Sequence, residues 1–549
     1  MNVLARVFLP VSAVFALAGS PASAAVPAGF VDELVTAATG PTAIAFTPDG
    51  RLLITRQSGV LIVRQGTTNT TALTLDPATQ VCSNFERGLL GVAVDPDFGS
   101  GIGENHFIYL YYTYRNSAAN CSTSTAPVNR VSRFVLDDTN IVSLASETIL
   151  VDNMPSRNGN HNGGDVQFGK DGYLYITIGD GGCDWAGGGT CNGNNIGARD
   201  QHVLTGKVLR ITKDGDIPPT NPFQGAGTAR CNVTGQTTPG NRCQETFSWG
   251  LRNPFRMAFD PNAVGTRFFI NDVGQGSWEE IDLGTSGADY GWNCREGAHL
   301  NNNTGPCFPT PAGMVDPIYE YQHGVQIPGT TSTSSCNSIT GGAFVPNGIW
   351  PPAYDNTYLF SDYICGWIVR LAGANGGGPF VGADFATSLG GASAVALKFG
   401  PYLTTQALYY TTFSGGGQVR RIRYTGSQFY SLTPCRLLDT RDPNGPYGGP
   451  QLAAGATRAF AASGQCGVPA GATAIVTNLT VVFPTGAGEL RIGASGVTTA
   501  GTSAISFSPG QTRANNAVVR LSAGGAFDVF CDLPSGGTQF ILDIVGYYL

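Results

Sequence analysis

The stretch Ala45-Phe-Thr-Pro-Asp-Gly50 decides the fold, because five variants of it follow along the chain. The other copies are Ala93-Val-Asp-Pro-Asp-Phe98, Gln167-Phe-Gly-Lys-Asp-Gly172, Ala258-Phe-Asp-Pro-Asn-Ala263, Ala343-Phe-Val-Pro-Asn-Gly348 and Lys398-Phe-Gly-Pro-Tyr-Leu403. In each copy a strand end runs into a turn, and an apolar, β-branched strand follows. Six such units, each long enough for a four-stranded blade, predict a six-bladed β-propeller, in which radial repetition protects the strand edges. A β-sandwich with chance Pro-Asp turns is the alternative.

A different segment follows the repeats and is rich in Gly, Ala, Val and Thr. Its runs Ala474–Val482, Ala517–Leu521 and Phe540–Val545 are typical of strands in a small sandwich. We therefore expect an all-β chain with a propeller over residues 25–425 and a β-sandwich over residues 430–549. The second segment resembles a module found at the C-terminus of secreted bacterial proteins, and it could contact a surface or a polymer.

The first residues have the layout of a secretory signal peptide. Arg6 precedes an apolar run over residues 7–18, and the small residues Ala22-Ser23-Ala24 follow. We predict a signal peptide over residues 1–24, with an uncleaved anchor as the alternative. No later stretch reaches the ~20 apolar residues of a membrane helix, so no membrane span is expected.

The cysteines and the charges narrow the class of protein further. Thirteen cysteines behind a signal peptide indicate an oxidising compartment and a secreted protein. Nearest-neighbour pairing predicts the disulfides Cys82–Cys121, Cys183–Cys191, Cys231–Cys243, Cys294–Cys307 and Cys336–Cys365. Cys435, Cys466 and Cys531 remain, so one cysteine is left over. Charged residues make up only 13% of the chain and the net charge is −7, which argues against nucleic acid as a partner.

The repeats also predict which loops meet at one mouth of the ring. Residues equally far ahead of each repeat should occupy equivalent loops. Glu86, His161, Arg252 and Asn337 stand six or seven places before four of the repeats. An acid, a base, a cation and an amide at one axial opening would form a polar binding pocket.

His161 is the best candidate for a general base among the five histidines, because an imidazole accepts a proton near neutral pH. It lies in the polar loop 157–164, where a merely exposed side chain is the alternative. Asp180 ends the following strand and could hold and charge-stabilise the imidazole. Its alternative role is a turn cap before Gly181.

Arg252 and Asn253 precede Pro254, which restrains the backbone there. A guanidinium at this point could bind a carboxylate or a quinone oxygen. A surface arginine is the alternative.

Several motifs together make residues 28–424 resemble the soluble glucose and aldose sugar dehydrogenases that use pyrroloquinoline quinone (PQQ), a family whose propeller is shared with hedgehog-interacting proteins. The motifs are Gly88-Leu-Leu-Gly91, Asp95-Pro-Asp-Phe98, the His161 loop with Thr177-Ile-Gly-Asp180, Gly206-Lys-Val-Leu-Arg210, Asp214-Gly-Asp-Ile-Pro218, Leu251-Arg-Asn-Pro254, Glu280-Ile-Asp282 and Asp289-Tyr-Gly-Trp292.

The resemblance implies roles for these residues. His161 would remove the proton from the C1 hydroxyl of an aldose while hydride passes to PQQ, with Asp180 as its partner. Arg252 and Asn253 would contact the cofactor. The backbone oxygens of Gly274 and Gln275 would bind a calcium ion, a metal that prefers oxygen ligands. An electron acceptor of unspecified nature would reoxidise the quinone.

The sequence departs from the family pattern at two cofactor-binding positions. Glu86 stands where the better-known glucose enzymes have a glutamine, and Asn337 stands where they have a lysine. A late pair of arginines has no clear match. Two other interpretations therefore stay open: a non-catalytic propeller that binds a glycan or a protein, and a metal-dependent lactonase-type hydrolase built on Glu86 and Asn337.

Overall fold

The computed structural model describes residues 24–99, 105–116, 121, 127–182, 196–333, 335–373, 379–413, 415–426, 429–497 and 501–549. They divide into two compact units. One comprises Asp32–Arg423 with the described residues up to Val26, and the other comprises Tyr424–Leu549 with Pro27–Val31. The predicted signal peptide lies outside the described residues except for Ala24.

The first unit consists of six four-stranded antiparallel sheets. The first strand among the described residues is β1 (Phe30–Ala37). The first two sheets contain β2 (Pro41–Phe46), β3 (Leu52–Arg56), β4 (Val60–Gln65), β5 (Thr68–Thr74), β6 (Leu89–Val94), β7 (Phe107–Tyr114), β8 (Val128–Val135) and β9 (Thr148–Pro155). The third contains β10 (Val166–Phe168), β11 (Leu174–Ile178), β12 (Lys207–Ile211) and, after the short pair β13 (Thr228–Ala229) and β14 (Arg242–Cys243), β15 (Thr246–Trp249).

The remaining three sheets follow the same order. The fourth contains β16 (Pro254–Phe259), β17 (Phe268–Asp272), β18 (Trp278–Leu283) and, after the short pair β19 (Arg295–Glu296) and β20 (His299–Leu300), β21 (Tyr319–Gln322). The fifth and sixth contain β22 (Ile339–Phe344), β23 (Tyr358–Asp362), β24 (Trp367–Ala372), β25 (Val381–Ala386), β26 (Ser393–Tyr402), β27 (Thr405–Thr412) and β28 (Gln418–Tyr424).

The ring closes through the N-terminal strand. β1 pairs with β28, so that the sixth sheet has the order β1-β28-β27-β26. β2 packs against both β6 and β26, which brings the first and last blades together. Closure of this kind leaves no open edge between the first and last blades. The predicted six-bladed propeller is confirmed.

The repeats mark the innermost strand of each blade. In the first five blades the repeat spans the end of that strand, as where Phe46 ends β2 and Phe168 ends β10. The sixth repeat covers the last residues of the longer strand β26 and ends at Leu403, one residue beyond it. The chain then turns into the second strand, as in the pairing of Phe46 with Leu52. Apolar side chains between neighbouring blades, such as Leu53 and Ile108, are fully buried.

The second unit is a two-sheet sandwich, as predicted. Its strands are β29 (Phe429–Asp439), β30 (Leu452–Ala453), β31 (Thr457–Ala461), β32 (Ala474–Val482), β33 (Gly488–Ala494), β34 (Ile505–Phe507), β35 (Arg513–Arg520), β36 (Ala526–Asp532) and β37 (Gly537–Tyr548). One sheet has the order β29-β37-β32-β35 with β30 on β37, and the other has the order β31-β36-β33-β34. The inner faces meet in an apolar core that includes Leu479 and Leu542 from one sheet and Leu490 and Phe527 from the other.

Five disulfides lie within the described residues. Four of them, Cys82–Cys121, Cys231–Cys243, Cys294–Cys307 and Cys336–Cys365, confirm the predicted pairs. The fifth joins Cys435 to Cys466 and leaves Cys531 as a buried free thiol. The predicted pair Cys183–Cys191 lies outside the described residues.

Helical structure in the described ranges is limited to four single 3-10 turns, at Leu144–Ser146, Ile196–Ala198, Gly305–Cys307 and Pro352–Tyr354. None of these helices has the length or the apolar character needed to cross a membrane.

Candidate active site

A cavity of about 440 Å3 opens where the six innermost strands begin. All six blades contribute to its wall, for example through Thr42 at the start of β2, Leu90 in β6 and Thr340 in β22. Its lining also includes Glu86, His161, Arg252, Asn253 and Gly274. The volume falls in the range of about 300–1,000 Å3 that is usual for small-molecule sites.

His161 lies on the wall of this cavity, in the loop between β9 and β10. Its backbone has a left-handed φ of 52°, which is uncommon for a residue other than glycine. Two hydrogen bonds hold this conformation: the His161 N–H donates to Glu86 Oε2 at 2.7 Å, and the Gly181 N–H donates to the His161 carbonyl at 3.2 Å. The residue is only 7% exposed, so the alternative of a merely exposed side chain is wrong.

Asp180 lies directly behind the imidazole. His161 Nδ1 is 2.6 Å from Asp180 Oδ1, which also accepts the Gly182 N–H at 2.8 Å. The second carboxylate oxygen accepts the Trp292 indole N–H at 2.8 Å. Asp180 and Trp292 are both almost completely buried. Three donors from three segments therefore fix the orientation of the carboxylate.

Arg252 determines the tautomer of His161. Its Nη2 lies 2.9 Å from His161 Nε2, and a guanidinium nitrogen can only donate. Nε2 must therefore accept, and the ring proton resides on Nδ1, where it is donated to Asp180. The unprotonated Nε2 is the atom of the ring that a general base requires.

Arg252 is itself held by neighbouring groups. Its Nε donates to Gln275 Oε1 at 3.0 Å, and Nη1 donates to the Val273 carbonyl at 2.8 Å. The guanidinium carbon lies 5.7 Å from the ring centroid of Trp292, within the range of a cation–π contact. Trp292 thus contacts both the acid and the cation of the site.

Asp272, at the end of β17, holds the backbone of the Arg252 loop. Its Oδ2 accepts the Arg252 N–H at 2.8 Å, and its Oδ1 accepts the Asn253 N–H at 2.6 Å. The pKa of Asp272 is raised to about 7, mainly because the carboxyl is completely buried. The nearby charge of Asp180 also raises the pKa, whereas the two N–H donors and Arg252 lower it. This carboxyl can therefore change its charge near neutral pH.

The loop after Asp272 turns its amide groups toward one carboxylate oxygen. The N–H groups of Gln275, Gly276, Ser277 and Trp278 donate to Glu296 Oε1 at 2.7, 2.7, 2.8 and 3.1 Å. A side chain at position 274 has no room, because a Cβ there would lie 1.8 Å from the Trp278 carbonyl oxygen.

The remaining site residues divide into those that line the cavity and one that does not. Glu86 and Asn253 both line it, and Asn253 Oδ1 accepts the Gly163 N–H at 3.1 Å. Asn337 is exposed and does not line the cavity, which corrects its predicted position. Its neighbour Ser338, which directly precedes β22, lines the cavity in its place, as Thr340 of β22 does.

Sequence reasoning missed several residues of the site. Trp292 stands in a quoted motif but had received no role, and Asp272 had not been singled out. Asp272 could have been found, because it ends the second strand of its blade where Asp180 follows the second strand of the blade before. Arg256 was also missed: it is buried on the cavity lining and donates to the Thr42 carbonyl at 2.6 Å.

Comparison with known proteins identifies the family of the chain. A family model described as Glucose / Sorbosone dehydrogenase matches residues 38–345, which is more than half of the chain. The HIPL2 protein of Arabidopsis thaliana is 27% identical over 336 residues, or 52% of this chain and 44% of that protein. Quinoprotein glucose dehydrogenase B of Acinetobacter calcoaceticus is 25% identical over 339 residues, or 59% of this chain and 65% of that protein. The match spans less than two thirds of the length of either relative.

Two further comparisons concern proteins named aldose sugar dehydrogenases. Aldose sugar dehydrogenase YliI of Escherichia coli is 31% identical over 255 residues, or 46% of this chain and 58% of that protein. The crystal structure of the soluble aldose sugar dehydrogenase (Asd) from Escherichia coli in its apo form has a TM-score of 0.55 at 23% identity and covers 72% of this chain and 99% of that one. The structural likeness supports the propeller fold, and the family match shows that the chain belongs to the glucose/sorbosone dehydrogenase family.

Proposed function

We propose that the chain is a secreted PQQ-dependent dehydrogenase that oxidises the C1 hydroxyl of aldose sugars to lactones. The observation that carries this proposal is the unprotonated Nε2 of His161 on the cavity wall, with Asp180 on the other ring nitrogen and Arg252 beside it. The names of the curated relatives, a quinoprotein glucose dehydrogenase and an aldose sugar dehydrogenase, support the same reaction class.

The protein residues would accept the proton of the C1 hydroxyl and stabilise the charge that forms during the reaction. The C1 hydroxyl replaces the Arg252 N–H as donor to His161 Nε2, and its proton passes to that nitrogen. Asp180 stabilises the imidazolium that forms, and Arg252 orients the oxygen as the C1–O bond becomes the lactone carbonyl. PQQ, when bound, supplies the two-electron acceptor for the hydride that leaves C1.

The lining of the cavity suits a flat cofactor that bears carboxylates. Leu90, Phe255 and Phe413 provide apolar surface, while the guanidinium groups of Arg252 and Arg256 provide positive charge. Arg256 supplies part of the positive charge that is missing because Asn337 stands where the better-known glucose enzymes have a lysine. Arg252, Asn253 and Arg256 would hold the cofactor, together with Glu86, which lines the same cavity and accepts the His161 N–H.

The loop at Gly274 and Gln275 suits a calcium ion. Since its amide groups donate inward to Glu296, its carbonyl groups must face other directions. Gly274 lies on the cavity wall, so its carbonyl oxygen is near the cofactor space. Backbone carbonyls are the kind of oxygen ligand that Ca2+ accepts, and the ion would polarise a bound quinone.

Secretion is part of the proposal, as is a surface or polymer contact by the sandwich. Five disulfides are typical of an oxidising compartment. They support export of the chain through the predicted signal peptide. The electron acceptor is unspecified.

The lactonase alternative loses its support. It required Glu86 and Asn337 to converge on the axis, and Asn337 does not line the cavity. Within the described part of the chain, the groups of three side chains that could share a metal are Cys231, Cys243, Glu245 and Cys336, Asp362, Cys365. Both contain a disulfide, and neither lines the cavity.

Reconstitution of the full chain tests the proposal. The purified protein is titrated with PQQ, with and without CaCl2, and binding is followed by quenching of tryptophan fluorescence. Turnover is followed by dye reduction with a panel of aldoses. We expect saturable, calcium-dependent binding and sugar-dependent reduction.

The variant His161→Ala should retain cofactor binding and lose about 10²- to 10⁴-fold in kcat, the usual contribution of a general base. His106→Ala is the matched control, because its ring stacks on Phe98 in the second blade, away from the cavity. Binding without any turnover would favour the non-catalytic propeller, and absence of binding would overturn the quinone assignment.

A further inference from the structure

A second cavity, of about 160 Å3, lies at the other end of the innermost strands. The candidate active site is lined near the start of these strands, for example by Phe255 in β16 and Thr340 in β22. The second cavity is lined where the same strands end, by Phe259 and Phe344. A strand rises about 3.3 Å per residue, so Thr340 and Phe344 lie about 13 Å apart. The two cavities therefore occupy opposite mouths of the ring.

Two hydrogen bonds join blades that face each other across the axis of the ring. On the side of the candidate active site, Arg256 Nη2 in the fourth blade donates to the Thr42 carbonyl in the first blade at 2.6 Å. On the side of the second cavity, Lys398 Nζ in the sixth blade donates to Gln167 Oε1 in the third blade at 3.0 Å. No described residue lines both cavities. The second cavity is thus a site of its own.

Lys398 is the only ionisable side chain among the described residues that line the second cavity. Its ammonium has three N–H donors, and Gln167 Oε1 is the only acceptor that the described residues offer it. The Gln167 amide is fixed in this orientation because its Nε2 donates to Asp165 Oδ2 at 2.8 Å. Burial lowers the pKa of Lys398, although the charge of Asp165 raises it. An anion in the cavity would accept the remaining donors and stabilise the ammonium.

The rest of the wall is mainly apolar. Phe259, Phe344 and Phe399 come from the fourth, fifth and sixth blades, and the exposed residues Pro261 and Gln406 lie where the cavity opens. An apolar cavity of about 150 Å3 accepts one molecule of benzene. The volume and the aromatic walls therefore suit a ligand with a single apolar ring, and the ammonium suits a negative charge on that ring.

We propose that the second cavity binds a small aromatic carboxylate, whose carboxylate group accepts hydrogen bonds from Lys398 while its ring packs among Phe259, Phe344 and Phe399. Hydrogen bonds from an ammonium to a carboxylate are about twice as strong as neutral ones, and burial of the ring adds the hydrophobic part of the affinity. The site does not depend on the proposed sugar oxidation, because none of its residues lines the candidate active site.

Calorimetric titration of the full chain with benzoate and with benzyl alcohol, a neutral molecule of similar shape, tests the site. Benzoate should bind saturably, and benzyl alcohol about 10- to 100-fold more weakly, as expected for the loss of a charged hydrogen bond. Lys398→Met should weaken the binding of benzoate by the same factor. Lys213→Met is the matched control, because Lys213 pairs with Asp97 at 2.8 Å and lines neither cavity. Equal affinities for the two compounds, or no binding of benzoate, would overturn the proposal.

The place of binding needs its own test, because Arg252 and Arg256 in the candidate active site could also attract benzoate. Crystals of the wild type are soaked with 4-bromobenzoate, and the anomalous signal of bromine locates the ring. A signal beside Phe344, with the carboxylate against Lys398, supports the proposal even if Lys398→Met fails to fold. A signal beside Arg252 alone, or none in the second cavity, would overturn it.

Discussion

The propeller and the C-terminal sandwich bury different kinds of side chain. The propeller core includes many ionisable groups that are at most 8% exposed, such as His161, Asp180, Lys207, Arg252, Arg256, Asp272, Glu280 and Asp282. Among the described residues of the sandwich, 429–497 and 501–549, Asp439 is the only buried charged side chain. Arg441 donates hydrogen bonds to it and lowers its pKa.

This difference indicates which of the two units contains the functional site. Burial of a charge is unfavourable unless partners compensate for it, and such groups concentrate at functional sites. Burial lowers the pKa of Lys207 to about 7 and raises the pKa of Asp272 to about 7. The sandwich instead follows the ordinary pattern of an apolar core with charges outside. Changes at the buried ionisable groups around the cavity should therefore alter activity, and changes in the sandwich should alter stability alone.

The largest effect is expected from Asp180→Asn. Three N–H groups donate to the carboxylate, and an amide has only one oxygen to accept them. The NH2 group of the new amide would face one of these three donors, or it would force the His161 imidazole into the other tautomer. We expect kcat to fall by about 10²-fold or more, the range known for catalytic His-Asp pairs in enzymes.

Asp384→Asn is the matched control for this change. Asp384 accepts the Trp367 indole N–H at 3.1 Å in the fifth blade, a contact of the same type as that between Asp180 and Trp292. Similar losses of kcat in both variants would show that general destabilisation, rather than the tautomer, is responsible.

A smaller effect is expected from Asp272→Asn. The variant loses one of two acceptors for the Arg252 and Asn253 amides, and kcat/KM should fall about 10-fold. Because folding raises the pKa of Asp272, proton binding favours the folded state. The contribution of this group to stability is thus present below pH ~4 and is lost as the pH rises to about 7.

Thermal midpoints measured from pH 4 to 8 check this. The fall in midpoint with rising pH should be smaller in the variant than in the wild type. Asp362→Asn is the control: burial also raises the pKa of Asp362, which ends the second strand of the fifth blade. It should flatten the stability profile without a comparable loss of kcat/KM. Parallel wild-type and Asp272→Asn profiles would contradict the assignment.

Trp292→Phe should have a modest effect, because it removes a single donor to Asp180 and keeps the aromatic ring near Arg252. One lost hydrogen bond to a charged group corresponds to about 1.5 kcal/mol, or roughly 10-fold in kcat. Trp367→Phe, which breaks the equivalent contact with Asp384, should leave kcat unchanged. An unaltered kcat in Trp292→Phe would show that Asp180 needs no third donor.

The smallest effect on activity is expected when Cys435 and Cys466 are both replaced by serine. Their disulfide closes a segment with a sequence separation of 31, so its loss should destabilise the sandwich by about 2–4 kcal/mol. Calorimetry should show a lower unfolding temperature for one transition, with kcat unchanged. A loss of kcat would contradict our inference that changes in the sandwich alter stability alone.

The sequence predicted much of the site because the propeller repeats its geometry. Counting back from each repeat located Glu86, His161 and Arg252 on the cavity wall, since each innermost strand begins at the same mouth. The count failed by one residue at Asn337, because the loop before β22 places Ser338 on the cavity wall instead.

The sequence by itself determined the number of blades, the separate sandwich, four disulfides and the family. Each of these depends on local repetition, on motif spacing or on proximity along the chain. Only the tertiary structure decided the tautomer of His161, the contact of Trp292 with Asp180 and the buried cations of the cavity. Arg252 and His161 are 91 residues apart, and Trp292 and Asp180 are 112 residues apart. Such pairs meet because of how neighbouring blades pack, and no local periodicity encodes that packing.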